Sequence, residues 1–160
     1  MAVDMFLELD GVKGESVDKA HKGKIDILAW QWSLSNSGTF HNGSGGGAGK
    51  AQFTDITVTK YIDAASPNIM LFCANGKHFA KGKIIVRKAG ENPLEYLTIE
   101  FEKALVTAYS TGGGGGEERL IENVALNFAK VKVEYTTQSE KGGKGTPQAF
   151  AWDISANAKG

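Results

Sequence analysis

Along most of this 160-residue chain, apolar side chains return at every second position. A period of two commits those segments to β-strands that bury one face. Met5, Leu7 and Leu9 alternate with Asp4 and Glu8. Residues 25 to 34 read as one long strand, with Leu28, Trp30, Trp32 and Leu34 on one face and Ala29, Gln31, Ser33 and Ser35 on the other. Ile25 and Ile27 are apolar on that second face, so only its later part is polar. Residues 52–61 are rich in Thr, Ile and Val and form a further strand. Gly82, Ile84 and Val86 define the next, followed by Leu97, Ile99, Phe101 and Leu105. Val124, Leu126 and Phe128 occupy even positions, whereas Val131, Val133 and Tyr135 occupy odd ones. A bulge at Ala129-Lys130 would keep both sets on the core face. Phe150, Trp152 and Ile154 form a closing strand after a loop over residues 142–147.

Only one segment reads as a helix. Ser66 can cap its amides, Pro67 suits its first position, and Gly76 suits its end. Ile69, Met70 and Cys73 fall at helical spacing on one side, which makes Cys73 a buried structural thiol. A helix of about ten residues is too short to stand alone in water, so it must dock on the strands. The fold class is therefore mainly β: a small antiparallel barrel, or two packed sheets, with one short flanking helix. Residues 1–160 form a single domain, with a frayed tail over 156–160.

Glycine is in excess, 21 residues, and the excess falls in three tracts that mark loops. The longest spans residues 38–50, where so much glycine argues against regular structure. Charge is balanced, 18 basic against 18 acidic residues, so no net field draws the chain to nucleic acid or an acidic membrane. No apolar run approaches the ~20 residues of a membrane span. The single cysteine excludes an internal disulfide. The N-terminus carries no basic and apolar regions of a secretory signal, so the expected site of folding is the cytoplasm.

Catalytic and cofactor motifs fail one by one. A phosphate-binding loop needs glycine five positions before its Gly-Lys and Ser or Thr after it. Gly49-Lys50 offers Ser44 and Ala51, and Gly143-Lys144 offers Gln138 and Gly145. Ala48 stands where a dinucleotide fingerprint needs its third glycine. His21, His41 and His78 lie apart, in no metal-binding spacing, and read as polar surface residues. Glu100, Glu102, Glu117 and Glu118 read as solvated charge, and the Asn42-Gly43-Ser44 sequon lacks a secretory context. No catalytic, metal or cofactor-binding residue is assigned. Trp30 and Trp32 read as core, with a subunit interface or a ligand groove as alternatives. Gln31 and Ser33, opposite them, face solvent, a lumen or a partner.

Several of these segments resemble one family in order along the chain. They are residues 1–7 with Asp10-Gly11-Val12-Lys13-Gly14-Glu15-Ser16, then Ile25-Asp26-Ile27-Leu28-Ala29-Trp30, then residues 57–63 with Ser66-Pro67-Asn68, then residues 122–128, and finally Phe150, Trp152, Asp153 and Ile154. Together they are similar to the haemolysin-coregulated proteins (Hcp) of type VI secretion. The resemblance implies a small β-barrel flanked by a helix, closing into a homohexameric ring. It implies that rings stack into the inner tube of a contractile machine, with sheath and spike proteins as partners and effector proteins carried or chaperoned in the lumen. Release would follow that route without a signal peptide, and no toxin extension follows the last strand. No enzymatic activity, nucleic acid partner or membrane insertion is implied. Within that frame Gln31 and Ser33 are candidate lumen contacts. The loop carrying Phe40, His41, Asn42, Gly43, Ser44, Gly45, Gly46, Gly47 and Lys50 is the candidate contact with an adjacent subunit or ring. A monomeric ligand-binding barrel is the alternative, and an enzyme the third reading.

Overall fold

The computed structural model describes residues 2–42, 46–139 and 143–160. Strand β1 (Val3–Leu9) pairs with β2 (Ile25–Asp26) on one side and β7 (His78–Lys88) on the other, all antiparallel. β7 runs against β8 (Leu94–Thr111), the longest strand, which carries the rest of the sheet. The first half of β8 borders β10 (Lys130–Gln138), which pairs with β11 (Lys144–Asp153). Its second half borders β9 (Ile121–Asn127), which pairs with β6 (Ile56–Tyr61), and β6 pairs with β3 (Ala29–Gln31). A separate two-stranded ladder joins β4 (Leu34–Ser35) to β5 (Gln52–Phe53).

The long strand expected over residues 25–34 is instead three short ones, each with a different partner. The reason lies in the chain's path. Ile27 donates its amide to Met5 in β1 (3.1 Å), and Leu28 donates the next amide to Thr59 in β6 (2.8 Å). Consecutive amides thus go to opposite edges of the sheet, and the two edges meet at this dipeptide. The burial pattern switches there: Ile25 and Ile27 are core, Leu28 and Leu34 are exposed, and Trp30 and Trp32 are half-buried against the core. The uniform apolar face expected from Leu28 to Leu34 does not survive the change of partner.

The phase slip near residue 129 is likewise larger than a bulge. Phe128 and Ala129 separate β9 from β10, and the Ala129 amide bonds the Glu102 carbonyl (3.0 Å). Beside it Lys103 takes a left-handed φ of 54°, so both chains turn at one corner. Phe128 and Val131 stay buried on either side, as the alternation requires. The rings of Phe101 and Phe128 sit 5.5 Å apart in the core, and Gly82 is needed opposite them because a Cβ there would overlap the Phe101 ring. β11 begins at Lys144, within the stretch expected to be a loop. In place of the expected frayed tail, β12 (Ala158–Lys159) pairs with Trp152 and Asp153.

Helix α1 (Ser66–Asn75) ends at Gly76 in the left-handed region, as its sequence predicts. Its start differs. Ala65 holds the cap position without a side-chain bond, and Ser66 points inward. The Ser66 hydroxyl accepts from the Asp63 amide (3.0 Å) and donates to Glu122 (2.8 Å). The buried side is Ser66, Ile69 and Phe72; Met70 is exposed and Cys73 half-buried, so the expected face is rotated. Phe72 meets Phe79 of β7 edge-on at 5.0 Å.

A polar clamp fixes the helix start to the sheet. Lys60 and Glu122 face each other across the β6–β9 ladder, are fully buried and form an ion pair. The Lys60 ammonium also donates to Asp63 (2.9 Å), the Tyr61 carbonyl (2.9 Å) and Ser66 (3.3 Å). Glu122 accepts in addition from the Tyr109 hydroxyl. Burial, and then this bond to a carboxylate, push the Tyr109 hydroxyl up to about 12. A fully satisfied buried pair specifies geometry more than it stabilises, and removing one partner strands the other. Lys60→Met alone should therefore cost about 3–5 kcal/mol in urea unfolding, and Lys60→Met/Glu122→Leu should recover most of that. Equal losses in single and double variants would refute the clamp. A raised tyrosine value favours the neutral form in the fold, so its contribution holds below the unfolded value of about 10 and is lost as pH climbs through about 12. Of the 4 tyrosines, one should ionise last in an ultraviolet titration, and Tyr109→Phe should remove that late phase.

Candidate assembly surfaces

Beyond Trp32 the chain leaves the body as an arm. β4 and β5 form its base, where Leu34 pairs with Phe53 and Ser35 with Gln52. Trp32 staples that base: its indole donates to the Thr54 carbonyl (3.1 Å) and stacks 6.0 Å from the Phe53 ring. The ladder continues outward through the Gly49 amide to Ser37 (3.1 Å) and a bridge between Gly38 and Ala48. Thr39 bonds Gly47 through both its amide and its hydroxyl, and Phe40–Asn42 form a 3₁₀ turn. The described residues of the stretch 38–50 are thus more regular than its glycine content predicts, and Gly46 and Gly49 leave room for the side chains of Phe40 and Ser37. At Gly46 a Cβ would strike the Phe40 ring. Phe40 is nevertheless 82% exposed, and His41, Gly46, Gly47 and Lys50 are exposed with it. Gly43, Ser44 and Gly45 lie outside the described residues.

Gln31 and Ser33 are both exposed beside the arm base. Ser33 is tied across to Thr54, whose hydroxyl receives the Ser33 amide (3.0 Å). Gln31 begins a row that runs through Thr57 and Ala125 to Ala108, and the neighbouring row runs from Ala29 through Thr59 and Asn123 to Ser110. Thr59 donates to the Asn123 side chain (2.7 Å). Apart from Tyr61 and Ile121 at one end, the outer face of β3, β6, β9 and the part of β8 paired with β9 is accordingly small, polar and uncharged. The charges these strands do possess, Lys60 and Glu122, point inward to each other.

The other half of the sheet has the opposite character. Glu8, Lys83, Glu100 and Lys132 stand in one row across β1, β7, β8 and β10. Lys81, Glu102, Lys130 and Asp153 form the next, so the signs alternate in both rows. These pairs are loose, Lys83 to Glu100 at 3.5 Å and Lys130 to Asp153 at 3.8 Å, as expected of exposed charges in water.

The loop between β1 and β2 is strapped over the edge of this half. Arg87 reaches Asp4 (3.2 Å) and both oxygens of Asp18 while lying 5.1 Å from the Phe6 ring. His21, read from sequence as a surface residue, is buried: Lys24 donates to its Nδ1 (3.2 Å), and its Nε2 donates to Glu95 (2.6 Å). Nothing in a solitary histidine signals that placement. His41 and His78 are exposed, and among the described residues no three metal-ligating side chains converge. No helix of the described residues is long and apolar enough to cross a membrane.

An antiparallel β-domain whose core is filled by side chains, and whose distinctive features are an uncovered arm and two sheet faces of opposite polarity, belongs to the class of structural subunits. Known proteins agree. Residues 6–135 match the family described as "Type VI secretion system effector, Hcp". The chain is 52% identical to Protein hcp1 of Pseudomonas aeruginosa over 99% of both chains. Among solved structures, a type six secretion system protein overlays with a TM-score of 0.94 at 28% identity, covering 99% of this chain and 100% of that one. Hcp1 from Salmonella typhimurium overlays at 0.83 with 40% identity, covering 99% of each. The chain belongs to the Hcp family of type VI secretion system proteins.

The Arg87 strap carries a pH dependence. Its hydrogen bond to Asp18 holds that carboxyl below the ordinary aspartate value of 3.8. A depressed carboxyl contributes stability above the unfolded value and loses it as pH falls through the folded one. Amide exchange in residues 12–24 should therefore accelerate on acidification below about pH 4, and Arg87→Met should leave the segment loose at neutral pH with that acid step gone. A strap protected equally at pH 7 in both proteins would contradict the role given to Arg87.

Proposed function

We propose that this chain is the ring subunit of the type VI secretion inner tube. Six copies close into a ring, rings stack into a tube, and sheath contraction expels the tube behind its spike. The chain does no chemistry of its own; every catalytic and cofactor motif tested in its sequence fails. Assembly precedes release, so the subunit folds in the cytoplasm and leaves through the machine it builds.

The arm is the observation that carries this reading. A ring needs a heterologous contact, one patch of a subunit meeting a different patch of its neighbour. A paired arm bearing an aromatic tip that its own chain leaves 82% exposed has no purpose within a monomer. Phe40 with its flanking residues supplies such a contact for an adjacent subunit or ring. The uncharged face with Gln31 and Ser33 is assigned to the lumen, where effector proteins are held, and the charged rows to the outside. A ligand-binding barrel loses ground because the interior is occupied by Phe79, Phe101 and Phe128.

Light scattering behind a sizing column should give a mass near six chains. Deleting residues 43–49 should weaken assembly, shortening or abolishing the stacks in negative-stain images. A monomer at high concentration would remove the tube reading, and normal stacking by the shortened protein would remove the arm's part in it.

A further inference from the structure

Exposed sheet faces of soluble proteins carry charge, and their buried positions do not. In β3, β6, β9 and the second half of β8 this order is inverted. The charged residues of β3, β6 and β9, Lys60 and Glu122, are fully buried and paired. The outward positions hold Ala29, Gln31, Thr57, Thr59, Asn123 and Ala125, with Tyr61 and Ile121 closing one end. The nearest carboxylate on the outward rim, Asp55, is occupied by Thr107 (2.6 Å) and Asn127 (2.8 Å). Placing two charges inside while leaving the water-facing side bare costs desolvation free energy and gains no solubility. Such a face is kept neutral for what lies against it.

We propose that this face recognises protein cargo through neutral hydrogen bonds and is indifferent to the sign of the cargo's charge. The inference rests on the tube reading and specifies what its lumen accepts. Threonine hydroxyls and the amides of Gln31 and Asn123 each donate and accept, which matches peptide groups and polar side chains of another protein. Nucleic acid would require a track of cations, where the face offers Arg119 over the Tyr61 ring at one end, and a lipid surface would require a broad apolar patch, where it offers Ile121 beside Tyr61. Contacts of this kind are short-ranged and unscreened, so capture does not depend on ionic strength. One wall can then pass acidic and basic cargo alike, with selection left to shape and hydrogen-bond pattern.

The test uses assembled rings and fluorescent peptides of a shared Gly/Ser backbone, one carrying lysines, one glutamates and one glutamines, read by anisotropy at low and physiological salt. Wild-type rings should treat the lysine and glutamate peptides within about twofold of one another at both salts. Thr57→Lys should shift that ratio about tenfold toward the glutamate peptide at low salt, and Thr57→Glu should shift it the other way. Wild-type rings that already discriminate by about tenfold, or that retain single-stranded DNA, would overturn the proposal. Thr57 variants of unchanged mass whose ratio does not move would overturn it too, while leaving the tube intact. A wild-type monomer would instead sink the tube reading on which the assignment stands.

Discussion

The ion pair between Lys60 and Glu122 holds the architecture in register. It joins β6 to β9 across the sheet, draws in Asp63 and Ser66 from the approach to the helix, and reaches β8 through Tyr109. Three stretches of the chain, 60–66, Tyr109 and Glu122, meet at one point where any slip of a residue would strand a charge in the interior. Hydrophobic burial would tolerate several packings of Ile56, Val58, Val124 and Leu126, since their shapes are similar. A charge pair tolerates only the one in which both groups are satisfied. The clamp also orients α1, whose buried stripe begins at Ser66 and continues through Ile69 to Phe72.

The outer surface follows from the same choice. Since the charges of β6 and β9 are turned inward, the opposite side of those strands is left mainly to threonine, asparagine and alanine, with Tyr61 and Ile121 at its end. The charged residues of β1, β7, β8 and β10 are free to face outward, and there they alternate in sign so that neither row carries a strong field. A protein with zero formal net charge thus has two faces that differ in kind. An arm whose one formal charge is Lys50 joins the neutral one, because residues 27–49 contain no Asp, Glu, Lys or Arg.

Period-two alternation revealed the strands because each was long enough to bury a full face, as at Ile84 and Val86 or Ile99 and Phe101. It failed between residues 25 and 34, where the chain changes partner twice, and a change of partner leaves no mark on alternation. It also missed the helix face, since Met70 and Phe72 are equally apolar and only the clamp decides which points inward. His21 and Glu95 are brought together by a contact across 74 residues that no local pattern encodes. The polar inversion is partly visible: the charge-free run over residues 27–49 is plain in the sequence, but nothing local marks Lys60 and Glu122 as buried. Gln31 and Ser33 could be placed on the uncharged side by parity alone. The arm could not, since glycine content predicts irregularity and says nothing of backbone pairing.

The meeting of two sheet edges at Ile27 and Leu28 has a mechanical side. In most barrels the seam is a ladder of hydrogen bonds, which can open one rung at a time under load. Here the edges are joined by neighbouring amides on a single covalent chain, one bonded to Met5 and the next to Thr59. Pulling β1 away from β2 drags on β3 and β6 through one peptide unit, so the two ladders are mechanically linked. A seam stitched in this way passes strain on either ladder to the other through the backbone itself.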